Sequence, residues 1–237
     1  MVPPFAYCQN ATQVVLKSPN LLRWVACGGV VAAWPAFAAT IEFGVLDHEG
    51  RGVGDVVVVA LLQDAPAATS SAAPRAPAVM DQVARRFVPY ILAVQTGTPV
   101  AFPNSDTVAH QVYSFSAPKR FQLALYRGHA YPPLVFDKPG LVVLGCNIHD
   151  DMLAYIYVTP SPHFGKTDTG GKLELGALPA GNFELRLWNP RFNEPHAELV
   201  RTVELQPAQR LALTVQLTRA LAPEPRPQPT KAGWDDY

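Results

Sequence analysis

The alternation of apolar and polar side chains along this chain is mostly that of β-strands. Leucine or valine occupies every second position over residues 211–217, and residues 183–188 alternate in a similar way. A period of two predicts strands with one buried face and one solvent face. Continuous aliphatic runs at 56–62 and 141–144 predict strands that are buried on both faces. Frequent turn residues separate these segments, so the sequence predicts an all-β protein built from β-sandwiches.

Two stretches are low in complexity. Residues 64–79 consist mainly of Ala, Pro and Ser, and we predict that they form a surface loop or linker. Residues 219–237 carry repeated prolines, and we predict that they form a disordered tail.

The N-terminal segment has the features of an export signal. Two basic residues precede an uncharged apolar run at 24–39, which ends with the small-x-small pattern Ala36-Phe37-Ala38 that signal peptidase recognises. The run is shorter than the ~20 residues that a membrane-spanning helix needs. We therefore predict that residues 1–38 are a signal peptide and that the protein is periplasmic, with no stable membrane span after cleavage. An uncleaved signal anchor is the alternative.

The composition excludes one class of partner and leaves one cysteine to explain. The chain has 19 basic and 19 acidic residues and no run of Lys or Arg, so nucleic acid is not an expected partner. Removing residues 1–38 removes Cys8 and Cys27 and leaves Cys146 alone. A single thiol cannot form an internal disulfide, and in an oxidising compartment we expect it to be buried or bound to a metal.

Three residues with soft metal-binding side chains follow the apolar strand at 141–145. Cys146, His149 and Met152 lie three residues apart, and a His₂Cys plane with a weak axial Met is the donor set of blue copper. The second His must come from another strand, and His110, in a strand-like stretch after a turn, fits. Zinc is the main competitor, but a Met ligand does not suit zinc. The sequence therefore predicts one copper ion, bound by these three residues and His110.

The same region resembles the cupredoxins. The resemblance rests on the string 97–106, on His110, on Pro139-Gly140 and on the Cys146–Met152 loop, which is similar to the ligand loop of amicyanin. The wider string is similar to methylamine-utilisation-type periplasmic cupredoxin-like proteins. The resemblance covers about residues 80–160 and implies a cupredoxin-like Greek-key β-sandwich with a type 1 copper. It also implies that the two His residues and the Cys are equatorial ligands and that the Met is axial.

Two features depart from the electron-transfer cupredoxins that the chain resembles. Those proteins usually have Asn after the first His ligand, where it ties the two ligand loops together, and this chain has Gln111. Asp150 and Asp151 follow His149, where those proteins usually present an apolar patch for partner docking. Carboxylates beside the copper are expected to stabilise Cu(II) and lower its reduction potential. The pair also suits recruitment of copper.

A second resemblance concerns residues 167–188, which look like a carboxypeptidase-regulatory-like (prealbumin-like) β-sandwich. That family usually opens with a hairpin and then a strand such as 55–62. Here the copper-site segment separates that opening from the rest. We therefore expect residues 40–63 and 163–218 to form one smaller sandwich, into which a cupredoxin-like unit at 80–160 is inserted. The alternative is two consecutive domains, with strand 55–62 lent to the cupredoxin sheet.

These features predict a periplasmic copper protein that transfers single electrons to or from a redox protein partner. Two alternatives stay open, namely a copper-binding or copper-delivery protein without redox turnover and a metal-free binding module of the cell envelope. A catalytic Cys/His nucleophile pair is a poor hypothesis, because His149 is only three residues from Cys146 and the sequence shows neither an orienting partner nor an oxyanion hole. No enzymatic activity is expected.

Overall fold

The computed structural model describes residues 38–63, 76–129, 131–194 and 198–223, and every regular element within these ranges is a β-strand. In chain order the strands are β1 (Ala39–Leu46), β2 (Val57–Leu62), β3 (Ala78–Val79), β4 (Asp81–Val83), β5 (Arg86–Val88), β6 (Ile91–Gln95), β7 (Thr98–Ala101), β8 (His110–Ser114), β9 (Phe121–Tyr126), β10 (Leu134–Phe136), β11 (Gly140–Gly145), β12 (Leu153–Thr159), β13 (Phe164–Lys166), β14 (Lys172–Leu178), β15 (Gly181–Trp188), β16 (Leu199–Leu205) and β17 (Arg210–Gln216). The all-β prediction is confirmed. The described residues contain no helix with the length and apolar character to span a membrane.

Two sheets built from the outer parts of the chain share one buried core. The first sheet has the strand order β14-β1-β17, and the second has the order β13-β2-β15-β16. Ile41, Val58 and Leu185 come from different strands of these sheets and are fully buried in the common core. We call the two sheets the split sandwich, because their strands come from 39–62 and from 164–216.

The strands between residues 78 and 159 form a second pair of sheets, which we call the central sandwich. Its strand orders are β10-β7-β3 and β6-β12-β11-β8-β9. Val100, Val112 and Ile156 contribute to one buried core from both sheets. The two-stranded β4-β5 hairpin accompanies this sandwich.

A separate apolar cluster joins the two sandwiches. Val57 and Trp188 of the split sandwich are buried together with Ile91 and Tyr157 of the central sandwich. The Tyr157 hydroxyl also donates a hydrogen bond of 2.7 Å to the carboxylate of Glu198. The two sandwiches are therefore packed through buried side chains.

Strand pairing follows the hydrophobic pattern in most places, with two corrections. β2 is buried on both faces as its aliphatic run predicts, and it pairs with β13 and β15. β11 is not buried on both faces, because Val143 is 37% exposed while its neighbours Val142 and Leu144 face the core. The outer face of that sheet is open to solvent at this point.

The loop predicted over 64–79 is also too long, because Ala78–Val79 form β3 and pair with β7.

Several predicted segments fall on residues that the structure does not describe. The predicted signal peptide lies outside the described residues except for residue 38, and so do 64–75 of the predicted loop and 224–237 of the predicted tail.

Candidate metal centre

The four predicted ligands are placed by two neighbouring strands of the central sandwich and by one loop. His110 is the first residue of β8, Cys146 follows the end of β11, and Met152 precedes the start of β12. β8 and β11 are adjacent and antiparallel, with Tyr113 opposite Gly145. The hairpin loop between β11 and β12 therefore lies beside the start of β8, although the two segments are far apart in sequence.

The two histidines and the cysteine converge at this end of the sheet. One ligand atom from each of His110, Cys146 and His149 lies within 4.8 Å of the others. The two imidazole Nδ1 atoms are 3.1 Å apart, and the Cys146 Sγ is 3.9 Å from Nδ1 of His149. Two imidazole nitrogens and one thiol sulfur thus face a common point.

Three of the four predicted ligands are almost completely removed from solvent. His110 is 0%, Met152 2% and Cys146 4% exposed, whereas His149 is only half-buried. Met152 belongs to the same buried cluster as Cys146 and lines the same surface hollow. Its N–H also donates a 3.0 Å hydrogen bond to the carbonyl of His149, which closes the loop into a tight turn.

The thiol is prepared for ionisation by its neighbours. Burial alone raises the pKa of Cys146, but its contact with the His110 ring and the hydrogen bonds from the N–H groups of Gln111 and Ile148 outweigh it and lower that pKa below its usual value. Burial opposes protonation of His110, yet its contacts with Cys146 and Asp106 raise the pKa of the ring. A buried thiol with a lowered pKa beside two imidazoles has the donor types of a site for a thiophilic metal ion.

The residue after the first histidine contacts the thiol through its main chain. The resemblance to electron-transfer cupredoxins implies Asn at this position, and Gln111 stands there. Its backbone N–H is one of the groups that lower the pKa of Cys146. Because any residue except proline carries that N–H, this link between the two ligand loops does not depend on an asparagine side chain.

A buried polar network holds the loop that leads to His110. The Asn104 amide donates hydrogen bonds to the carbonyls of Val108, at 3.0 Å, and of Tyr126, at 2.8 Å. The Gln82 amide donates to the Tyr126 hydroxyl at 2.6 Å, and that hydroxyl donates to the Phe102 carbonyl at 2.6 Å. Each buried polar group that finds a partner here makes other loop conformations costly.

One carboxylate at the site was not singled out from the sequence. Asp106 Oδ2 lies 2.9 Å from Nε2 of His110, on the side of the ring away from His149. Burial by itself raises the pKa of Asp106, but hydrogen bonds from His110 and from the backbone N–H groups of Arg85 and Thr107 lower it to about 2. The available signal was the position of Asp106 four residues before His110, at the end of a turn.

The remaining histidines lie away from this cluster or outside the described residues. His48 and His129 are exposed. His163 is half-buried against Phe183, with ring centroids 6.4 Å apart. His196 lies outside the described residues.

The acidic pair of the ligand loop is exposed. Asp150 lines the surface hollow beside Cys146 and Met152, and both Asp150 and Asp151 are solvent-accessible. Solvent screens exposed charges strongly, so their influence on a bound metal is small.

Replacing both Asp150 and Asp151 with Asn is expected to raise the reduction potential of bound copper slightly, because Cu(II) gains more than Cu(I) from nearby negative charge. Protein-film voltammetry at low ionic strength measures this change, and added salt should diminish it. An unchanged or lowered potential would show that the two carboxylates do not tune the copper.

Comparisons with known proteins find similarity only at the level of structure. No protein-family model matches the chain, and neither does any curated protein. A copper-containing nitrite reductase from Thermus scotoductus is 26% identical over 35% of this chain, with a TM-score of 0.33, and the match spans 22% of the reductase. A purple cupredoxin from Nitrosopumilus maritimus is 21% identical over 35% of this chain and 99% of its own, with a TM-score of 0.31. An amicyanin variant in the reduced Cu(I) form is 20% identical over 42% of this chain and 97% of its own, with a TM-score of 0.32.

Proposed function

We propose that this protein is a periplasmic type 1 (blue) copper protein that transfers single electrons to or from a redox protein partner. The observation that carries the proposal is the convergence of His110, Cys146 and His149 within 4.8 Å at the end of a β-hairpin. Met152, buried beside Cys146, would complete the set as a weak axial thioether. The periplasmic location rests on the export-signal features of residues 1–38.

The scaffold around the ligands suits electron transfer. When bound, copper would supply one-electron exchange between Cu(I) and Cu(II). The chain's own contribution is to hold the donor atoms still, because small movements of the ligands mean little reorganisation when the charge changes. β8, β11 and β12 are neighbours in one five-stranded sheet, and the buried network around Asn104 fixes the loop before His110.

Burial of the ligands favours retention of copper over its delivery. A delivery protein must release its metal to an acceptor, which requires ligands that the acceptor can reach. Here three of the four proposed ligands are at most 4% exposed, and only His149 reaches partly into solvent. The arrangement therefore supports a resident redox ion.

Exposed apolar side chains beside the site support the proposal that a protein partner docks there. Phe115 is 74% and Val143 37% exposed, and both line the hollow that also contains Cys146. Ile148, next to His149, is 47% exposed. Large apolar groups that remain in solvent around a buried site are a common feature of docking surfaces.

We propose in addition that residues 40–63 and 163–218 form one prealbumin-like domain, and that a cupredoxin-like domain at about 80–160 is inserted into it. The pairing of β2 with β13 and β15 supports this division over the alternative in which strand 55–62 joins the cupredoxin sheet. The shared core of the split sandwich supports it as well.

The proposed function is tested by loading the purified exported form with Cu(II). We expect one tightly held copper per chain, an intense visible thiolate-to-copper absorption band and a reversible voltammetric wave. Loss of copper on gel filtration, or the absence of the band, would refute a blue-copper site. Retained copper without a reversible wave would instead favour the binding or delivery function.

Replacing Met152 with Leu is expected to raise the reduction potential while keeping the visible band. The axial thioether tunes the potential of such a site, and leucine has a similar volume, so the fold should lose less than ~1.5 kcal/mol. Met80 provides a matched control, because it is also fully buried in the same cluster. Met80→Leu should leave the potential unchanged; equal potentials in both variants would exclude Met152 as a ligand.

A further inference from the structure

We propose that Asp106 is a positioning residue for the copper centre, which fixes His110 in the tautomer that carries its proton on Nε2 and presents the Nδ1 lone pair to the metal. This inference rests on the proposed function in so far as it concerns copper. The tautomer itself is a property of the metal-free protein.

The two ring nitrogens of His110 face different groups. Nε2 lies 2.9 Å from Asp106 Oδ2, whereas Nδ1 lies 3.1 Å from Nδ1 of His149. A neutral imidazole has one donor nitrogen and one acceptor nitrogen, and the partner of one nitrogen sets the state of the other. If Asp106 accepts a hydrogen bond from Nε2–H, the free lone pair on Nδ1 of His110 points toward His149 and the neighbouring thiol.

The contacts of Asp106 define it as the acceptor. The Arg85 N–H donates to the same Oδ2 atom at 2.6 Å, and the Thr107 N–H donates to Oδ1 at 2.7 Å. The side chain of Asp106 is only 9% exposed. An ionised carboxylate can only accept hydrogen bonds, so the His110 Nε2 atom 2.9 Å from it must carry the proton.

The carboxylate is held by two separate segments. Arg85 lies in the turn of the β4-β5 hairpin, where Ala84 and Arg85 both have positive φ values, of 49° and 57°. The same hairpin binds the loop at the neighbouring residue, because the Ser105 N–H donates to the Gln82 carbonyl at 3.1 Å. The position of Asp106 is therefore set by the hairpin as well as by its own loop.

This arrangement has a consequence for the metal. A carboxylate that accepts from a ligand histidine orients the ring and increases the electron density on the other nitrogen, and losing such a partner typically weakens metal binding about 10- to 100-fold. The negative charge of Asp106 also favours Cu(II) over Cu(I). Its buried position spares it much of the screening that weakens Asp150 and Asp151.

The first test uses the metal-free protein, as the wild type and as the variant Asp106→Ala. NMR of ¹⁵N-labelled histidine side chains reports the tautomer of each ring. At a pH where the His110 ring is neutral, we expect it in the Nε2–H form, and Asp106→Ala should release it into a mixture of tautomers. His110 in the Nδ1–H form in the wild-type protein would overturn the proposal, whether or not the protein binds copper.

The second test measures the Cu(II) affinity and the reduction potential of two variants that each lose one carboxylate charge. Asp106→Asn keeps an oxygen acceptor but removes the charge, so Cu(II) affinity should fall about 10- to 100-fold and the reduction potential should rise. Asp81→Asn is the control, because Asp81 accepts hydrogen bonds from Ser105 in the same loop. If both variants match the wild type, Asp106 does not act on the metal. If the wild type binds no copper, the proposed function fails while the tautomer result still stands.

Discussion

Replacing Cys146 with Ser is expected to abolish the intense visible band of the copper-loaded protein. The band requires charge transfer from a thiolate to Cu(II), and a serine hydroxyl cannot supply it. The N–H groups of Gln111 and Ile148 that face the sulfur can donate to the new hydroxyl instead. The fold should therefore lose only about 1 kcal/mol. Absorption spectra at saturating Cu(II), with copper stoichiometry measured on the same samples, provide the test.

A buried neighbour of the same cluster supplies the control for this experiment. Met80→Leu changes a fully buried side chain that is not a proposed ligand and should leave the band unchanged. A band that survives in Cys146→Ser would show that the absorption does not come from this thiolate. The blue-copper proposal would then fail at its most specific point.

The sequence led to the proposed metal-binding loop because its chemistry is local. Cys146, His149 and Met152 lie on one short segment directly after a strand, so their proximity needs no knowledge of the fold. His110 could be added because a second histidine was chemically required and one stood at the start of a predicted strand. The structure places that strand, β8, beside β11, and so brings His110 to the two loop residues.

The sequence could not rank the carboxylates around the site. Asp150 and Asp151 adjoin His149 in sequence, yet both are exposed to solvent. Asp106 contacts a predicted ligand, because the turn before β8 folds it back against His110. Which side of an imidazole a carboxylate meets depends on loop geometry and on the β4-β5 hairpin, and neither follows from residue spacing.

The sequence also could not predict which faces of the strands are buried. The aliphatic runs of β2 and β11 look alike in sequence, but β2 is covered on both faces and β11 on one. β2 lies where the split sandwich meets the central sandwich, so its outward side chains Val57 and Val59 join the cluster around Trp188. Val143 of β11 has no such layer over it and remains 37% exposed. Hydrophobicity identified the strands, whereas the packing of two sandwiches decided which faces are buried.

Replacing His110 with Ala is expected to weaken Cu(II) binding by more than the ~10- to 100-fold typical of losing a residue outside the ligand set. The change removes a buried donor nitrogen at 3.1 Å from His149 Nδ1. It also leaves Asp106 without one of its hydrogen-bond donors in a buried position, which should lower the free energy of unfolding of the metal-free protein by ~1–3 kcal/mol. Competition titration against a chelator measures the first effect, and urea unfolding measures the second.

The control and a rescue experiment separate these two effects. His163→Ala removes another partly buried histidine, away from the cluster, and should leave copper affinity unchanged. Added imidazole should enter the space left in His110→Ala, restore the missing nitrogen donor and recover part of the visible band. A purely structural role for His110 predicts no such recovery, because free imidazole does not rebuild a packed core. Equal copper affinities in the two histidine variants would place the metal elsewhere and refute the proposed ligand set.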